Sequence, residues 1–311
     1  MDRHSIEWTG YIPAITTPFT RDGALDLEAL GAQIGWMREQ RLHGIILAGT
    51  SGEWFSMSAA ERAALFTEGA RAADGSLWVI GACNAFTAEE AITHAHAAER
   101  AGLDGILLTP PPYLVPSRAE IVQFYRDVSD ATDLPLCVYN WPRGCVVDMG
   151  TDLLAELATI ENVVAIKNST GNAAQFLESM YALEGSVRYF GLPTSELGAD
   201  LALLGHGDGL MGSGAPLGAD HSDYWRAIAA GDRERAVALG ARDRVVMQRW
   251  FQPDYGARFG NQQAIMKTAL RLQGVPAGYV RRPLLELTGD EVQIVADTLR
   301  DLGIDTRPPV G

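Results

Sequence analysis

Short apolar segments alternate with helix-forming segments along the first 230 residues, and this alternation constrains the fold more than any other feature of the sequence. The apolar segments have the length and composition of strands and cover residues 11–16, 43–48, 77–82, 104–108, 135–139, 163–167, 187–190 and 208–212. Helices are predicted between them, over residues 27–40, 59–73, 88–102, 118–131, 151–159, 172–184, 194–204 and 216–230. Strict alternation favours a parallel sheet that is covered by helices.

The number of strand–helix units favours a closed (β/α)8 TIM barrel. Eight units fit such a barrel, which typically has about 250 residues. A doubly wound open sheet is the alternative, but it usually has fewer strands and a glycine-rich turn after the first one. The first predicted strand instead leads into TTPF at residues 16–19.

Strand signals stop after residue 230, whereas helical patterns continue over residues 231–250, 261–273 and 289–303. We therefore predict a barrel domain over residues 1–230 and a C-terminal helical domain over residues 231–311, with a loose tail at 305–311. Helix starts are marked by Ser or Thr followed three residues later by Glu, the pattern of a capping box, at Ser58/Glu61, Thr87/Glu90, Ser117/Glu120 and Thr288/Glu291.

The composition excludes several classes of function. A net charge of −14 and a pI of about 4.8 argue against partners such as nucleic acid or an anionic membrane, which require basic patches. No apolar stretch approaches the ~18 residues of a membrane span, and the first eight residues lack a secretory signal. Three cysteines, Cys83, Cys137 and Cys145, form no close pair, which favours a reduced, cytoplasmic protein.

Lys167 ends the apolar segment 163–167, and the polar turn NSTG follows at residues 168–171. Functional groups of a TIM barrel collect at the carboxyl ends of its strands, so we expect Lys167 at the barrel mouth. Burial lowers the pKa of an amine, and a neutral amine is a nucleophile that forms a Schiff base with a ketone. The alternative is a structural lysine whose amine escapes to solvent.

Two other strands also end in polar groups. Tyr139 ends the fifth strand, next to the strand of Lys167, where a phenol can shuttle protons. The alternative is that Tyr139 is a packing residue at the barrel rim.

GTSG at residues 49–52 follows the second strand. Its two hydroxyls and unhindered N–H groups, including those beside Gly49, suit a carboxylate, although a plain turn explains the same residues. Trp54 and Trp141 adjoin these motifs. They either wall the pocket or pack in a subunit interface or the core.

Two further patterns carry no cofactor site. GDGLMG at residues 207–212 matches a dinucleotide-binding pattern, but it lies within the last strand and not at a strand-to-helix turn. We expect its glycines, including Gly212, to let the backbone approach a bound substrate or neighbouring backbone instead. His94 and His96 are two residues apart on a predicted helix and face nearly opposite sides, so a metal site is not expected.

Five short motifs follow one another along nearly the whole chain: GYIPA leading to TPF at residues 10–19, GTSGE at 49–53, TPPPY at 109–113, YNWP at 139–142 and IKNSTG at 166–171. In this order and at this spacing, they resemble the motifs of the dihydrodipicolinate synthase / N-acetylneuraminate lyase family of Schiff-base lyases. The resemblance implies a (β/α)8 barrel with a C-terminal helical domain, no metal, no organic cofactor, and a homotetramer built as a dimer of dimers.

The resemblance also implies roles for individual residues. It implies that Lys167 forms the Schiff base with a small-molecule 2-oxo acid, typically pyruvate or a pyruvate-derived skeleton, and that Tyr139 is the acid–base phenol. Thr50 and Ser51 would bind the carboxylate, and Thr50 would relay protons to Tyr139. Tyr113 is similar to a second family tyrosine that reaches across a dimer interface.

The chain departs from the synthase pattern at three points. Dihydrodipicolinate synthases have an arginine, which binds the second substrate's carboxylate, at the position of Gly144; here Arg143 stands one residue earlier. Asn168 stands where the family often has an acidic residue, and the proline run 110–112 is unlike the usual synthase stretch. These departures weaken the expectation of a role in lysine biosynthesis.

Three hypotheses follow. The first is an aldolase- or dehydratase-type lyase for a 2-oxo acid, favoured because residues 52–56 and 191–194 are closer to the sugar-acid enzymes of the family. The second is 4-hydroxy-tetrahydrodipicolinate synthase itself, which condenses pyruvate with aspartate semialdehyde, with Arg143 replacing the displaced arginine. The third is a non-catalytic binder of 2-oxo acids or sugar acids.

Overall fold

The computed structural model of the protein describes residues 1–307, and eight parallel strands form its centre. In chain order the strands are β1 Gly10–Tyr11, β2 Gly44–Leu47, β3 Trp78–Ala82, β4 Gly105–Leu108, β5 Leu136–Asn140, β6 Val163–Asn168, β7 Arg188–Phe190 and β8 Gly209–Leu210. Neighbours in the sheet follow the order β1-β8-β7-β6-β5-β4-β3-β2. A bridge between Ala14 and Ile46 joins the segment after β1 to β2 and closes the sheet. The predicted (β/α)8 barrel is confirmed, and the open-sheet alternative is wrong.

Helices surround the barrel and continue beyond it. In chain order they are α1 Leu27–Glu39, α2 Ala59–Ala73, α3 Ala88–Ala101, α4 Arg118–Ser129, α5 Pro142–Cys145, α6 Thr151–Leu157, α7 Ala173–Leu183, α8 Glu196–Leu203, α9 Ala219–Ala229, α10 Arg233–Trp250, α11 Gln262–Leu272 and α12 Gly289–Asp301. The short α5 was not predicted, since its four residues are fewer than a periodic pattern requires.

Three of the four predicted capping boxes form completely, at Ser58, Ser117 and Thr288. The prediction of a full capping box at Thr87 is wrong, because only one of its two hydrogen bonds forms. The Thr87 hydroxyl accepts a hydrogen bond from Glu90 N, but the Glu90 carboxylate accepts from Phe86 N at 3.2 Å and not from Thr87. The helix still begins at the predicted residue, because the side chain of the N-cap residue satisfies a free N–H of the first turn.

Side chains alternate between the barrel interior and the helix layer, as the two-residue period of a strand requires. On β5, Cys137 and Tyr139 pack inside with Ala165 of β6, whereas Val138 and Ile166 join the outer apolar layer. Lys167, two residues after Ala165, therefore points inward at the open end of the barrel.

The helices after residue 230 pack on the barrel and build an apolar cluster of their own. Helix α10 lies along α8 and α9, and the cluster among α10, α11 and α12 includes Trp250, Ile265 and Leu299, all fully buried. The division into two domains at residue 230 stays a prediction. Residues 305–307 of the expected tail form neither helix nor strand, and residues 308–311 lie outside the described part of the chain.

Predicted and observed element boundaries agree within two residues, except at the first strand and at α9, which begins three residues later than predicted, at Ala219. Of the predicted strand 11–16, only Tyr11 belongs to the regular strand β1, because Pro13 has no N–H to donate to the ladder. Within residues 1–307, no helix is both long enough and apolar enough to cross a membrane.

Candidate active site

A cavity of about 150 Å³ opens between the carboxyl ends of the strands and helices α10 and α11. Five of the eight residues that the sequence predicted for the site line this cavity: Lys167, Tyr139, Thr50, Ser51 and Gly212. Lys167 and Tyr139 are brought together by strand register, since Tyr139 of β5 is the direct partner of Lys167 of β6.

The amine of Lys167 is buried and faces an aromatic ring. The residue is 5% exposed, and its Nζ lies 4.1 Å from the centre of the Tyr139 ring. Burial lowers the pKa of Lys167 to about 8, opposed only by Cys137, and within residues 1–307 no carboxylate contributes to this shift. With such a pKa, about a tenth of the amine is neutral at pH 7, as a nucleophile requires.

The phenol of Tyr139 is protonated at neutral pH. Burial raises its pKa, and hydrogen bonds with the hydroxyls of Ser169 and Thr50 oppose this shift. Its ring stacks on Trp141 at a centroid distance of 6.0 Å, and Trp141 contacts Tyr255 at 6.4 Å. The Tyr139 ring thus lies against the Lys167 amine, and its hydroxyl contacts two further hydroxyls, an arrangement suited to proton transfer.

Asn168 supports the strand that carries Lys167. Its Nδ2 donates to Tyr189 OH at 2.8 Å, and its Oδ1 accepts from Asn140 Nδ2 at 2.9 Å and from Thr170 N at 3.1 Å. The amide both donates and accepts, which a carboxylate cannot do. The network accounts for an asparagine at this position, and it ties together the ends of β5, β6 and β7.

The hydroxyl of Ser51 belongs to a second polar network in the cavity wall. Ser51 Oγ lies 2.8 Å from Ser213 Oγ, and Gln262 Nε2 donates to Ser213 Oγ at 2.8 Å and to Ser51 Oγ at 3.3 Å. Three separate segments, the loop after β2, the loop after β8 and helix α11, therefore meet at one place.

Three of the predicted site residues do not line the cavity. Gly49 lies behind it, where a Cβ atom would come within 3.0 Å of Ala14. Arg143 is 47% exposed and pairs with Asp254 at 2.5 Å. Tyr113 is 90% exposed and lies on the surface of the single chain.

The sequence left most cavity residues unassigned, among them Ser169, Ser213, Tyr255 and Gln262. Ser169 follows Asn168 at a strand end, so its position alone is a sufficient signal. Gln262 and Tyr255 come from the C-terminal segment, and no local pattern tells which side chains of that segment cover the barrel.

One end of the cavity is lined by a weakly charged polar cluster. The rings of Tyr11 and His221 stack at 4.3 Å, and His221 Nδ1 lies 3.8 Å from Asp243 Oδ1. Burial lowers the pKa of His221 to about 3 and raises that of Asp243 to about 7. Neither nitrogen of His221 has a hydrogen-bond partner among the described residues. This end of the cavity therefore offers polar groups with little net charge.

Within the described residues, no group of three or more His, Cys, Asp or Glu side chains is placed to hold a metal ion. His94 is buried, and burial lowers its pKa to about 4. His96 instead contacts Ala131 O through Nε2 at 2.9 Å. Trp141 lines the cavity, whereas Trp54 packs against Phe86 at 5.8 Å.

Comparison with known proteins identifies the family. The sequence profile of the dihydrodipicolinate synthetase family matches residues 7–302. The chain belongs to this family. It is 31% identical over 301 residues to the 4-hydroxy-tetrahydrodipicolinate synthase of Methanosarcina mazei, covering 95% of this chain and 98% of the relative. It is 29% identical over 303 residues to an uncharacterized DapA-like lyase of Rhizobium meliloti, covering 96% and 98%.

Solved structures of the family share the whole fold. A chloride-inhibited dihydrodipicolinate synthase from Acinetobacter baumannii, complexed with pyruvate, superimposes with a TM-score of 0.85 at 30% identity, covering 95% of this chain and 99% of that one. A prophage family protein from E. coli K12, also with pyruvate, gives a TM-score of 0.86 at 25% identity and covers 96% and 100%.

Family membership confirms the prediction that this protein is a lyase of the Schiff-base class. Family membership supports the hypothesis of an enzyme over that of a non-catalytic binder, because this chain matches relatives named as synthases along nearly their whole length.

Proposed function

We propose that this lyase is of the aldolase or dehydratase type and acts on pyruvate or a related 2-oxo acid through Lys167. The observation that carries the proposal is the buried Lys167 amine, which faces the Tyr139 ring in the cavity with a pKa lowered to about 8. A partly neutral amine at the base of a cavity is suited to attack a ketone carbon.

The reaction begins when Lys167 Nζ forms a bond to the keto carbon. The ketone oxygen takes up protons and leaves as water, and a protonated imine remains. The imine withdraws electrons from the neighbouring carbons. In an aldolase, the hydroxyl two carbons away gives up its proton, the carbon–carbon bond beside it breaks, an aldehyde leaves and an enamine remains; in a dehydratase, the carbon next to the imine loses a proton to give the enamine, and the hydroxyl on the following carbon then leaves as water. Protonation of the carbon skeleton where needed and hydrolysis of the imine release the product and free Lys167. Each step moves a proton, and Tyr139, with Thr50 and Ser169 as hydrogen-bond partners, is placed to donate and accept them.

The loop at residues 49–53 is proposed to bind the substrate's carboxylate. The hydroxyls of Thr50 and Ser51 line the cavity together with Lys167. Hydroxyl and backbone donors are suitable partners for a carboxylate. Gly212 leaves room on the opposite wall, because a side chain there would meet the ring of Tyr11.

The remainder of the cavity favours a hydroxylated or uncharged group on the substrate over a second carboxylate. Among the described residues that line the cavity, Lys167 is the only lysine or arginine. Ser213, Gln262 and Tyr255 supply neutral polar groups, and Asp243 supplies a weakly acidic one.

A second candidate is 4-hydroxy-tetrahydrodipicolinate synthase, the name carried by several relatives at about 30% identity. This activity condenses pyruvate with aspartate semialdehyde and would need a cation for the second carboxylate. Arg143 would have to leave Asp254 to provide it.

We further propose a cytoplasmic homotetramer built as a dimer of dimers, without nucleic-acid or membrane partners. Tyr113, Leu114 and Val115 are 90%, 52% and 51% exposed, and a second subunit covering this apolar patch would supply Tyr113 to the neighbouring cavity. Sedimentation velocity tests the assembly: the Tyr113→Asp variant should dissociate to dimers held by the other interface, and an unchanged assembly would exclude this patch as an interface.

The experiment that tests the substrate class is a turnover assay with two arms. In the first, the protein receives a six-carbon 2-oxo-3-deoxyaldonate, and pyruvate release and water loss are both followed. In the second, it receives pyruvate and aspartate semialdehyde. Turnover only in the first arm supports the aldolase or dehydratase, and turnover only in the second supports the synthase. The Lys167→Met variant serves as the control in both.

A further inference from the structure

We infer that helix α11 positions the loop at residues 49–53, so that Gln263 and Lys267 act as positioning residues for recognition of the substrate's carboxylate. The inference rests on the proposed function, because it assigns that loop to the carboxylate. It adds two residues that do not line the cavity and that are buried away from the reacting atoms.

The backbone of this loop adopts conformations that need support from outside. Ala48, just before the loop, and Glu53, its last residue, have φ angles of 54° and 56°, in the left-handed region that non-glycine residues rarely adopt. Such conformations persist only where the surrounding structure holds them. The two turns inside the loop, Gly52 N to Gly49 O and Glu53 N to Thr50 O, are too local to fix its direction.

Helix α11 supplies the support at both ends of the loop. Gln263 Nε2 donates to Thr50 O at 3.0 Å. Lys267 Nζ donates to Glu53 Oε1 at 2.5 Å and to Tyr279 O at 2.6 Å. Gln263 is 7% exposed, and the side chains of Glu53 and Lys267 are fully buried, so water does not compete for these contacts.

The contacts from Gln263 and Lys267 lie on either side of Ser51, one at Thr50 and one at Glu53. Thr50 is held by its carbonyl and Glu53 by its carboxylate, so Ser51 lies between two fixed points. On the same helix, Gln262 contacts Ser51 Oγ at 3.3 Å. Since a shift of about 1 Å at a substrate-binding group has a large effect on the reaction, removing these contacts should impair carboxylate recognition while leaving Lys167 in place.

The test compares two ketones that differ in the carboxylate. Pyruvate carries it and hydroxyacetone does not. The second-order rate constant for modification of Lys167 in the presence of borohydride is measured by intact mass for each ketone. In the wild-type protein the ratio of the two constants reports carboxylate recognition.

Two variants remove the positioning contacts. Gln263→Met removes only the bond to Thr50 O. Because Lys267→Met alone leaves a buried carboxylate unpaired and endangers folding, the double variant Glu53→Leu/Lys267→Met removes both charges together. Gln273→Met is the matched control, since Gln273 also lies at α11 but donates to Pro216 O and Ala269 O, away from the loop.

We expect the pyruvate-to-hydroxyacetone ratio to fall by about tenfold or more in both variants, as for loss of a hydrogen-bonded arrangement around a charged group, and to stay unchanged in Gln273→Met. A wild-type ratio near one, an unchanged ratio in the double variant, or equal losses for both ketones would overturn the inference. Absence of any pyruvate adduct on the wild-type protein would instead refute the proposed function, and the inference with it.

Discussion

The chain contains two lysines, Lys167 and Lys267, and both are buried. Burial lowers the pKa of each to about 8. Each amine also lies over an aromatic ring, Tyr139 at 4.1 Å for Lys167 and Phe19 at 4.7 Å for Lys267. In burial, pKa and aromatic contact, the two residues are nearly indistinguishable.

Their partners differ. Lys267 donates to Glu53 and to a backbone carbonyl, and Glu53 opposes the effect of burial on its pKa. Lys167 faces a cavity, and within residues 1–307 no carboxylate influences its pKa. Burial alone therefore does not make an amine a nucleophile. An adjacent space for a ketone and the lack of a fixed ionic partner distinguish the reactive lysine from the structural one.

The largest expected effect separates the two lysines by activity. Lys167→Met should lower turnover by about 10⁶-fold, the size seen when a covalent nucleophile is removed. Glu53→Leu/Lys267→Met should raise the KM for the 2-oxo acid, because it loosens the carboxylate-binding loop, and should keep far more turnover at saturating substrate than Lys167→Met. Steady-state assays of both proteins, with circular dichroism as the check on folding, measure the contrast. Residual activity in Lys167→Met within about a hundredfold of wild type would remove Lys167 from the reaction.

Removal of the phenol should have a smaller effect than removal of the amine. Tyr139→Phe keeps the ring over Lys167 but loses the proton donor, so kcat should fall by about 10²–10⁴-fold with little change in KM. Trapping of the imine should be slowed as well. Normal kcat in this variant would exclude Tyr139 from acid–base chemistry.

The two lysines should affect stability in opposite directions. Lys167→Met removes a buried amine that is costly to ionise, so the free energy of unfolding at pH 7 should rise, by up to about 3 kcal/mol for a pKa lowered from 10.5 to about 8. Lys267→Met leaves Glu53 buried without its partner and should lower the free energy of unfolding by about 3–5 kcal/mol. Urea denaturation of both variants, at one protein concentration, shows whether the free energy of unfolding rises or falls in each. Destabilisation of equal size in both would contradict the contrast.

The smallest expected effect is on pH dependence. The neutral fraction of Lys167 rises with pH up to about 8, so imine formation should fall about tenfold per pH unit below 8 and level off above it. The unfolded chain holds more protons between pH 8 and 10.5, so Lys167 makes stability rise with pH in that window. Lys167→Met should lose the part of this rise that Lys167 contributes, whereas the part from Lys267, whose pKa is also lowered to about 8, should remain. An inflection near pH 10.5 in the trapping rate would contradict a lowered pKa.

Sequence patterns located the barrel because its determinants are local. Short apolar segments such as residues 163–167 mark the strands, and cap residues such as Ser58 mark where helices begin. Lys167 and Tyr139 were found for the same reason, since position at a strand end is visible in the sequence.

The rest of the site depends on contacts between distant segments. Gln262 meets Ser51 across 211 residues of sequence, and no periodic pattern records that contact. Arg143 has the chemistry of a substrate ligand, but its direction is set by Asp254, which is 111 residues away. The role of Lys267 was not foreseen either, because a lysine within an amphipathic helix is ordinarily a surface residue.

The most direct test of the central claim is to reduce the protein with borohydride in the presence of pyruvate and to map the adduct by peptide mass. Because the chain has only two lysines, the N-terminal amine is the one other site to exclude. We predict a single pyruvate-sized adduct on Lys167 and none on Lys267. An adduct on Lys267, or none on either lysine with pyruvate and with longer 2-oxo acids, would contradict the assignment of Lys167 as the Schiff-base residue.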